Sequence, residues 1–200
     1  MSRKRAKLVL PPGVKPWACV TLCVDPGESC GVAIYDQGVY YDSGCGDGFD
    51  AKFHERWIAE ALFVGRRWGV PVVLVMEQPP AGGKPFKVGG RVRSIAGTGS
   101  VIGCRKLWQR SWSKYEGTVT RYVVHVYPPT WRAPVLGTLI NPAPREAMRA
   151  SMEKYGNATA GRARGQPPDE CAAICIGIWA SNARQVLAVL PKRLQLKCVS

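Results

Sequence analysis

Two stretches of this sequence are apolar almost without interruption, and each is cut off by a single acid. Trp17-Ala-Cys-Val-Thr-Leu-Cys-Val24 ends at Asp25, and Val72-Val-Leu-Val-Met76 ends at Glu77. Short runs of this kind, with no polar residue at every second position, suit strands that are buried on both faces of an α/β sheet. Asp25-Pro26-Gly27 is a turn signal. Glu77 is harder to account for locally, because an acid directly after Val-Val-Leu-Val-Met has neither a turn nor a cap to serve.

The remaining pattern builds around those runs. Gly31-Val-Ala-Ile-Tyr35 resumes as strand, Gln37-Gly38 suits a hairpin turn, and Val39-Tyr-Tyr-Asp-Ser43 follows, so a three-strand meander is expected. Residues 51–68 place Phe53, Trp57, Ile58, Ala61, Leu62 and Val64 on or beside one helical face, and Gly69-Val70-Pro71 stops the helix. A second helix is expected over 94–114, a strand over 121–127, and helices over 144–155 and from Asp169 to about 190. Loops are expected at 78–93, 128–142 and 156–168. The order β-β-β-α-β-α-β-α-α favours a mixed sheet with helices on both faces and an antiparallel edge. The expected division is a basic arm, residues 1–16, one domain over 17–190, and a basic tail over 191–200.

The 200 residues carry 28 Lys+Arg against 14 Asp+Glu, a formal charge of +14. Residues 1–80 hold nine basic and nine acidic side chains, whereas residues 81–164 hold fifteen and three. The excess therefore sits in the middle of the chain. A basic stretch inside a folded domain favours a polyanion, nucleic acid first and an anionic membrane surface second, with bare solubility as the alternative. No apolar run approaches the ~18 residues of a membrane span. Only Leu8-Val9-Leu10 separates the basic start from Pro11-Pro12, which is too little for a signal peptide and favours the cytoplasm. The eight cysteines include no C-x-x-C pair, so core filling is favoured over a disulfide framework or a zinc site.

If the strands ending at Asp25 and Glu77 are parallel neighbours, their carboxylates share one sheet edge, where α/β sheets form ligand crevices. Adjacent carboxylates repel, so one takes a proton or a cation intervenes. Hard oxygen donors select Mg²⁺ or Mn²⁺, and paired ions of this kind serve phosphodiester hydrolysis. Asp169, opening the last helix after Pro167-Pro168, is a third candidate. Two of these acids also have a plainer explanation: Asp25 as turn chemistry, and Asp169, with Glu170 beside it, as a helix cap and dipole partner.

Val24-Asp-Pro-Gly-Glu-Ser-Cys-Gly-Val-Ala-Ile34 resembles the first hairpin of RuvC-type Holliday-junction resolvases, a branch of the RNase H-like superfamily. Val75-Met-Glu-Gln-Pro79 resembles their second acidic strand. Val126-Tyr-Pro-Pro-Thr-Trp-Arg132, with Leu136-Gly137, resembles a Pro-x-x-Trp-Arg element of phage and bacterial relatives. Asp169-Glu-Cys-Ala-Ala-Ile-Cys-Ile-Gly177 resembles the closing helix. The resemblance spans roughly residues 18–190. It implies an RNase H-like five-stranded sheet, metal ligation by Asp25, Glu77 and Asp169, and a homodimer that cuts four-way-junction DNA. The sequence departs at Ala172, where the family usually has an acid. Either three carboxylates suffice with Glu170 assisting as a catalytic residue, or metal binding is weakened and the protein binds junctions better than it cuts them.

Lys84, Lys87, Arg91 and Arg93 follow Glu77 closely, Arg105, Lys106 and Arg110 continue along the next helix, and Arg132 closes the Trp-Arg element. All are expected to hold DNA phosphates. If six charges did so, affinity would fall about a thousandfold between low and moderate salt. Phe86 is the candidate for stacking on an unpaired base. Trp108 and Trp112 are expected in a core or interface, and His54 and His125 in structural roles. The small residues Ala96, Gly97, Gly99, Ser100 and Gly103 permit close approach to the sheet or to a second subunit. No membrane and no small-molecule cofactor are expected. The competing functions are another RNase H-like nuclease, acting on RNA–DNA hybrids or flaps, and a non-catalytic DNA-binding protein.

Overall fold

The computed structural model describes residues 19–78, 87–88, 91–92, 95–115, 119–136, 145–161 and 167–181. The arm over 1–16, the tail over 191–200, Lys84, Phe86, Arg93 and the last helix beyond 181 lie outside these residues. Strands β1 (Val20–Asp25), β2 (Ser29–Asp36) and β3 (Val39–Asp47) precede helix α1 (Ala51–Trp68) and strand β4 (Val72–Glu77). Two short strands, β5 (Lys87–Val88) and β6 (Arg91–Val92), lead to helix α2 (Ile95–Ser113) and strand β7 (Arg121–Val126). Helices α3 (Pro128–Leu136), α4 (Arg145–Ala160) and α5 (Pro168–Ala180) follow.

The main sheet has five strands in the order β3-β2-β1-β4-β7. β1, β2 and β3 form the antiparallel meander, and β4 pairs in parallel with both β1 and β7. This is the mixed five-stranded α/β sheet, an antiparallel meander joined to parallel strands, that the sequence led us to expect. The β2–β3 hairpin turns at Gln37 and Gly38, with φ of 53° and 83°. Positive φ at both central residues matches the twist of the flanking strands.

Strand alternation divides the interior in two. Val20, Leu22, Val24, Val72, Leu74 and Met76 face α1 and α2, where Trp57, Ile58, Leu62, Cys104 and Trp108 meet them. Cys19, Cys23, Val73, Val75 and Val126 face the other layer, with Trp131, Ala172, Ile174, Cys175 and Ile176. The two acids closing β1 and β4 fall on this second face by the same alternation. Each buried aliphatic side chain contributes roughly 1.5–3 kcal/mol. α5 is apolar around most of its circumference because it packs on β1 and β2 with one side and on α3 and α4 with others. The seven described cysteines are free thiols and all but Cys45 are buried, as expected of core filling. Trp108 and Trp112 are core residues.

Three expected loops differ in the structure. Residues 128–136 form α3, because Pro128 and Pro129 occupy its first positions, where a missing N–H costs nothing. α4 continues to Ala160, five residues beyond the expected end at Tyr155. Within the 78–93 stretch, Lys87 pairs with Val92 and Val88 with Arg91, a short ladder instead of a structureless loop. No described helix is long and apolar enough to cross a membrane.

The Tyr35 hydroxyl donates to the Ile174 carbonyl over 2.8 Å and ties β2 to α5 inside the core. Tyr35→Phe should lower unfolding free energy by about 1 kcal/mol in urea titrations, with an unchanged m-value.

Candidate active site

β1 and β4 run in parallel with Val24 opposite Met76, so Asp25 and Glu77 close neighbouring strands one step further on, at the same edge. Asp169 reaches them from the first turn of α5. Its approach depends on Gly31, which pairs with Asp25 across β1–β2. A Cβ at position 31 would lie 1.8 Å from the Asp169 carbonyl oxygen, so only glycine lets the helix start sit on the strand there.

The three acids stand near enough to act on one another electrostatically. Burial, then Glu77, then Asp169 push the Asp25 carboxyl well above its ordinary range, and the Arg132 guanidinium opposes them. Burial also raises Glu77, offset by Arg132 and by a hydrogen bond from Trp131. The Trp131 indole N–H donates to Glu77 Oε2 at 2.6 Å, and Arg132 Nη2 lies 3.4 Å from Glu77 Oε1. Both residues belong to α3, the helix hidden behind Pro128-Pro129 in the sequence.

Below the Asp25-Pro26-Gly27 turn, Cys104 is more than a filler. Hydrogen bonds from Cys30, His54 and the Gly27 N–H outweigh burial and hold its thiol down at about 6. His54 is structural as expected, with Nε2 2.9 Å from the Gly48 carbonyl and its ring stacked on Trp108.

Glu170, expected to assist the site, is placed elsewhere. It is 4% exposed and accepts a 2.6 Å hydrogen bond from Ser43 Oγ, which itself pairs with the Tyr40 hydroxyl. About 100° of helix rotation separates neighbouring residues, and here it turns Glu170 toward β3. Ala172 is buried in the α5-side core, so the usual fourth acidic position is apolar.

The described basic residues divide between the two faces of the sheet. Arg132 stands with the carboxylates. On the other face Arg105 Nη2 donates to Gln78 Oε1 at 3.3 Å and to His125 Nδ1 at 3.1 Å, and Gln109 Nε2 lies 3.3 Å from His125 Nε2. Partial burial and the Arg105 charge hold His125 below its ordinary value. His125, expected to be structural, lies on the α2 face by the alternation of β7, with Val124 and Val126 turned inward. Lys106 and Arg110 are exposed on α2. Lys87 and Arg91 lie in the short ladder.

The donor set suits a divalent cation. Asp25, Glu77 and Asp169 offer only hard oxygens, and three carboxylates against one guanidinium leave an uncompensated double negative charge when ionised. Among the described residues, no group of three or more His, Cys, Asp and Glu side chains is placed so as to hold a metal ion, so the fit rests on the chemistry of the donors.

No protein-family model matches the chain, and neither does any curated protein. Among solved structures, it is similar to Thermus thermophilus RuvC in complex with a Holliday junction substrate. That match has a TM-score of 0.47 and 16% identity, covering 83% of this chain and 95% of the other. It is also similar to the yeast mitochondrial Holliday junction resolvase Ydc2, with a TM-score of 0.42 and 9% identity over 94% of this chain and 83% of that one.

Two outcomes follow from this geometry. Gly31→Ala should destabilise the fold by about 1–3 kcal/mol in urea unfolding, because the strand and the start of α5 must separate. Asp25→Asn should instead raise the melting temperature in EDTA by roughly 2–4 °C per kcal/mol of repulsion relieved. A carboxyl raised in the folded state costs stability as pH climbs above its unfolded value, so the gain should vanish toward pH 3.

Proposed function

We propose that this chain is a divalent-metal-dependent, structure-selective DNA endonuclease that resolves four-way junctions as a homodimer. The observation that carries the reading is the gathering of Asp25, Glu77 and Asp169 at one sheet edge in a basic chain, with Arg132 beside them. Mg²⁺ or Mn²⁺ held by these carboxylates would acidify the attacking water and stabilise charge on the departing 3′ oxygen. The protein's own share is placement. Asp25 and Glu77 are fixed by adjacent parallel strands, and Asp169 by the helix start resting on Gly31.

Arg132 reaches into the carboxylate group from α3 and is suited to grip the phosphate undergoing attack. Arg105, Lys106 and Arg110 would hold backbone phosphates from the other side of the sheet edge, with Lys87 and Arg91 adding charge between. Lys84, Arg93 and Phe86 remain part of the proposed DNA surface on sequence grounds. Phosphate contacts position a duplex without reading its sequence, so selection of a branched substrate falls to the spacing of two sites in a dimer. In-line attack by water would leave a 5′ phosphate.

One observation favours a second reading. Ala172 leaves the fourth position apolar and Glu170 is engaged with Ser43, so the chain could bind junctions without cutting them. A junction-nicking assay with Mg²⁺ separates the two. The wild type should nick a four-way junction and Asp25→Asn should lose at least about a hundredfold in rate, more than a change outside the ligand set usually costs. Junction binding in a gel-shift assay should persist. Binding without any Mg²⁺- or Mn²⁺-dependent nicking by the wild type establishes the non-catalytic reading, and undiminished nicking by Asp25→Asn refutes the site.

A further inference from the structure

We propose that Trp131 is a positioning residue that orients the Glu77 carboxylate for the cation, an inference that rests on Glu77 being a ligand. The two oxygens of Glu77 are held unequally. Oε2 accepts the indole N–H at 2.6 Å, while the Arg132 contact to Oε1 is longer, 3.4 Å. The indole itself is fixed, because Trp131 is 0% exposed and packed in the core among Val126, Leu136 and the α5 side chains. A rigid ring with a single donor pins one carboxylate oxygen and stops rotation about the last side-chain bond. The second oxygen is left for a metal.

The choice of donor is chemically informative. A ligand must stay negative to attract a divalent ion, and a cationic partner on both oxygens would cancel that attraction. The indole N–H is neutral, so it orients the carboxylate and favours its ionised form without competing for the role of cation. Arg132 is less committed. Its Cζ lies 5.1 Å from the Trp131 ring centroid, and its Nε has no partner among the described residues. It can leave Glu77 for a phosphate while Trp131 keeps the carboxylate in place. Adjacent residues on α3 thus divide the work between orientation and charge.

The test uses Mn²⁺ as the probe, with binding followed by electron paramagnetic resonance on the full chain, without DNA. Four variants are compared with the wild type: Trp131→Phe, Trp131 replaced by benzothienylalanine, Glu77→Gln, and Trp131→Phe combined with Glu77→Gln. Benzothienylalanine keeps the shape of tryptophan and replaces N–H by sulfur, so it reports on the donor even where phenylalanine disturbs folding. Loss of an outer partner of this kind typically weakens metal binding roughly 10- to 100-fold, and both single changes at 131 should do so. In the Glu77→Gln background the change at 131 should have no further effect, since the residue acts through Glu77. Wild-type affinity in both 131 variants, with Glu77→Gln weakened, overturns the positioning role alone. Equal weakening by Trp131→Phe with and without Glu77 shows a packing effect and overturns it as well. Unchanged Mn²⁺ binding in Glu77→Gln overturns the ligand reading of Glu77, and the role of Trp131 with it.

Discussion

The parallel pairing of β1 with β4 is the constraint from which the rest of the site is assembled. Parallel neighbours end at the same edge of a sheet, so two acids that are more than fifty residues apart in sequence become adjacent. In an antiparallel arrangement Asp25 and Glu77 would lie at opposite ends. The pairing also makes their repulsion unavoidable, and the surroundings are arranged to tolerate it. Arg132 supplies positive charge and Trp131 a hydrogen bond. Such a group of acids sacrifices stability for the ability to concentrate negative charge.

α5 completes the group through backbone proximity, not through a long side chain. Its first turn rests on β2 at Gly31, so the short side chain of Asp169 suffices. The neighbouring Glu170 is used differently, as a buried link to Ser43 and Tyr40 on β3. One helix start therefore serves both a charged edge and a structural tie, and the angle between consecutive residues decides which acid does which.

Much of this was legible in the sequence because the informative residues stand out locally. Two unbroken apolar runs ended by acids identified β1 and β4 and their terminal carboxylates, and the amphipathic pattern of residues 51–68 identified α1 to the residue. α3 was not legible, since Pro128-Pro129 reads equally as the end of a strand and the start of a helix. With α3 hidden, the bond between Trp131 and Glu77 was hidden too. The place of Glu170 was half legible: its rotation away from Asp169 follows from helix geometry, but the Ser43 hydroxyl that receives it comes from a strand over a hundred residues earlier. The role of Cys104 could not be read at all, because a lone cysteine in a small-residue helix has the same appearance whether it fills space or accepts hydrogen bonds.

β4 ends on two residues with opposite allegiances. Glu77 looks to the carboxylates and α3, and Gln78, the next residue, bonds Arg105 on the α2 side. Side chains of a strand change face at every step, so a single inserted or deleted residue before Glu77 would exchange the two. The acid would then meet a guanidinium and an imidazole, and an uncharged amide would stand among the remaining carboxylates. The length of this strand is therefore as much a part of the arrangement as the acid at its end.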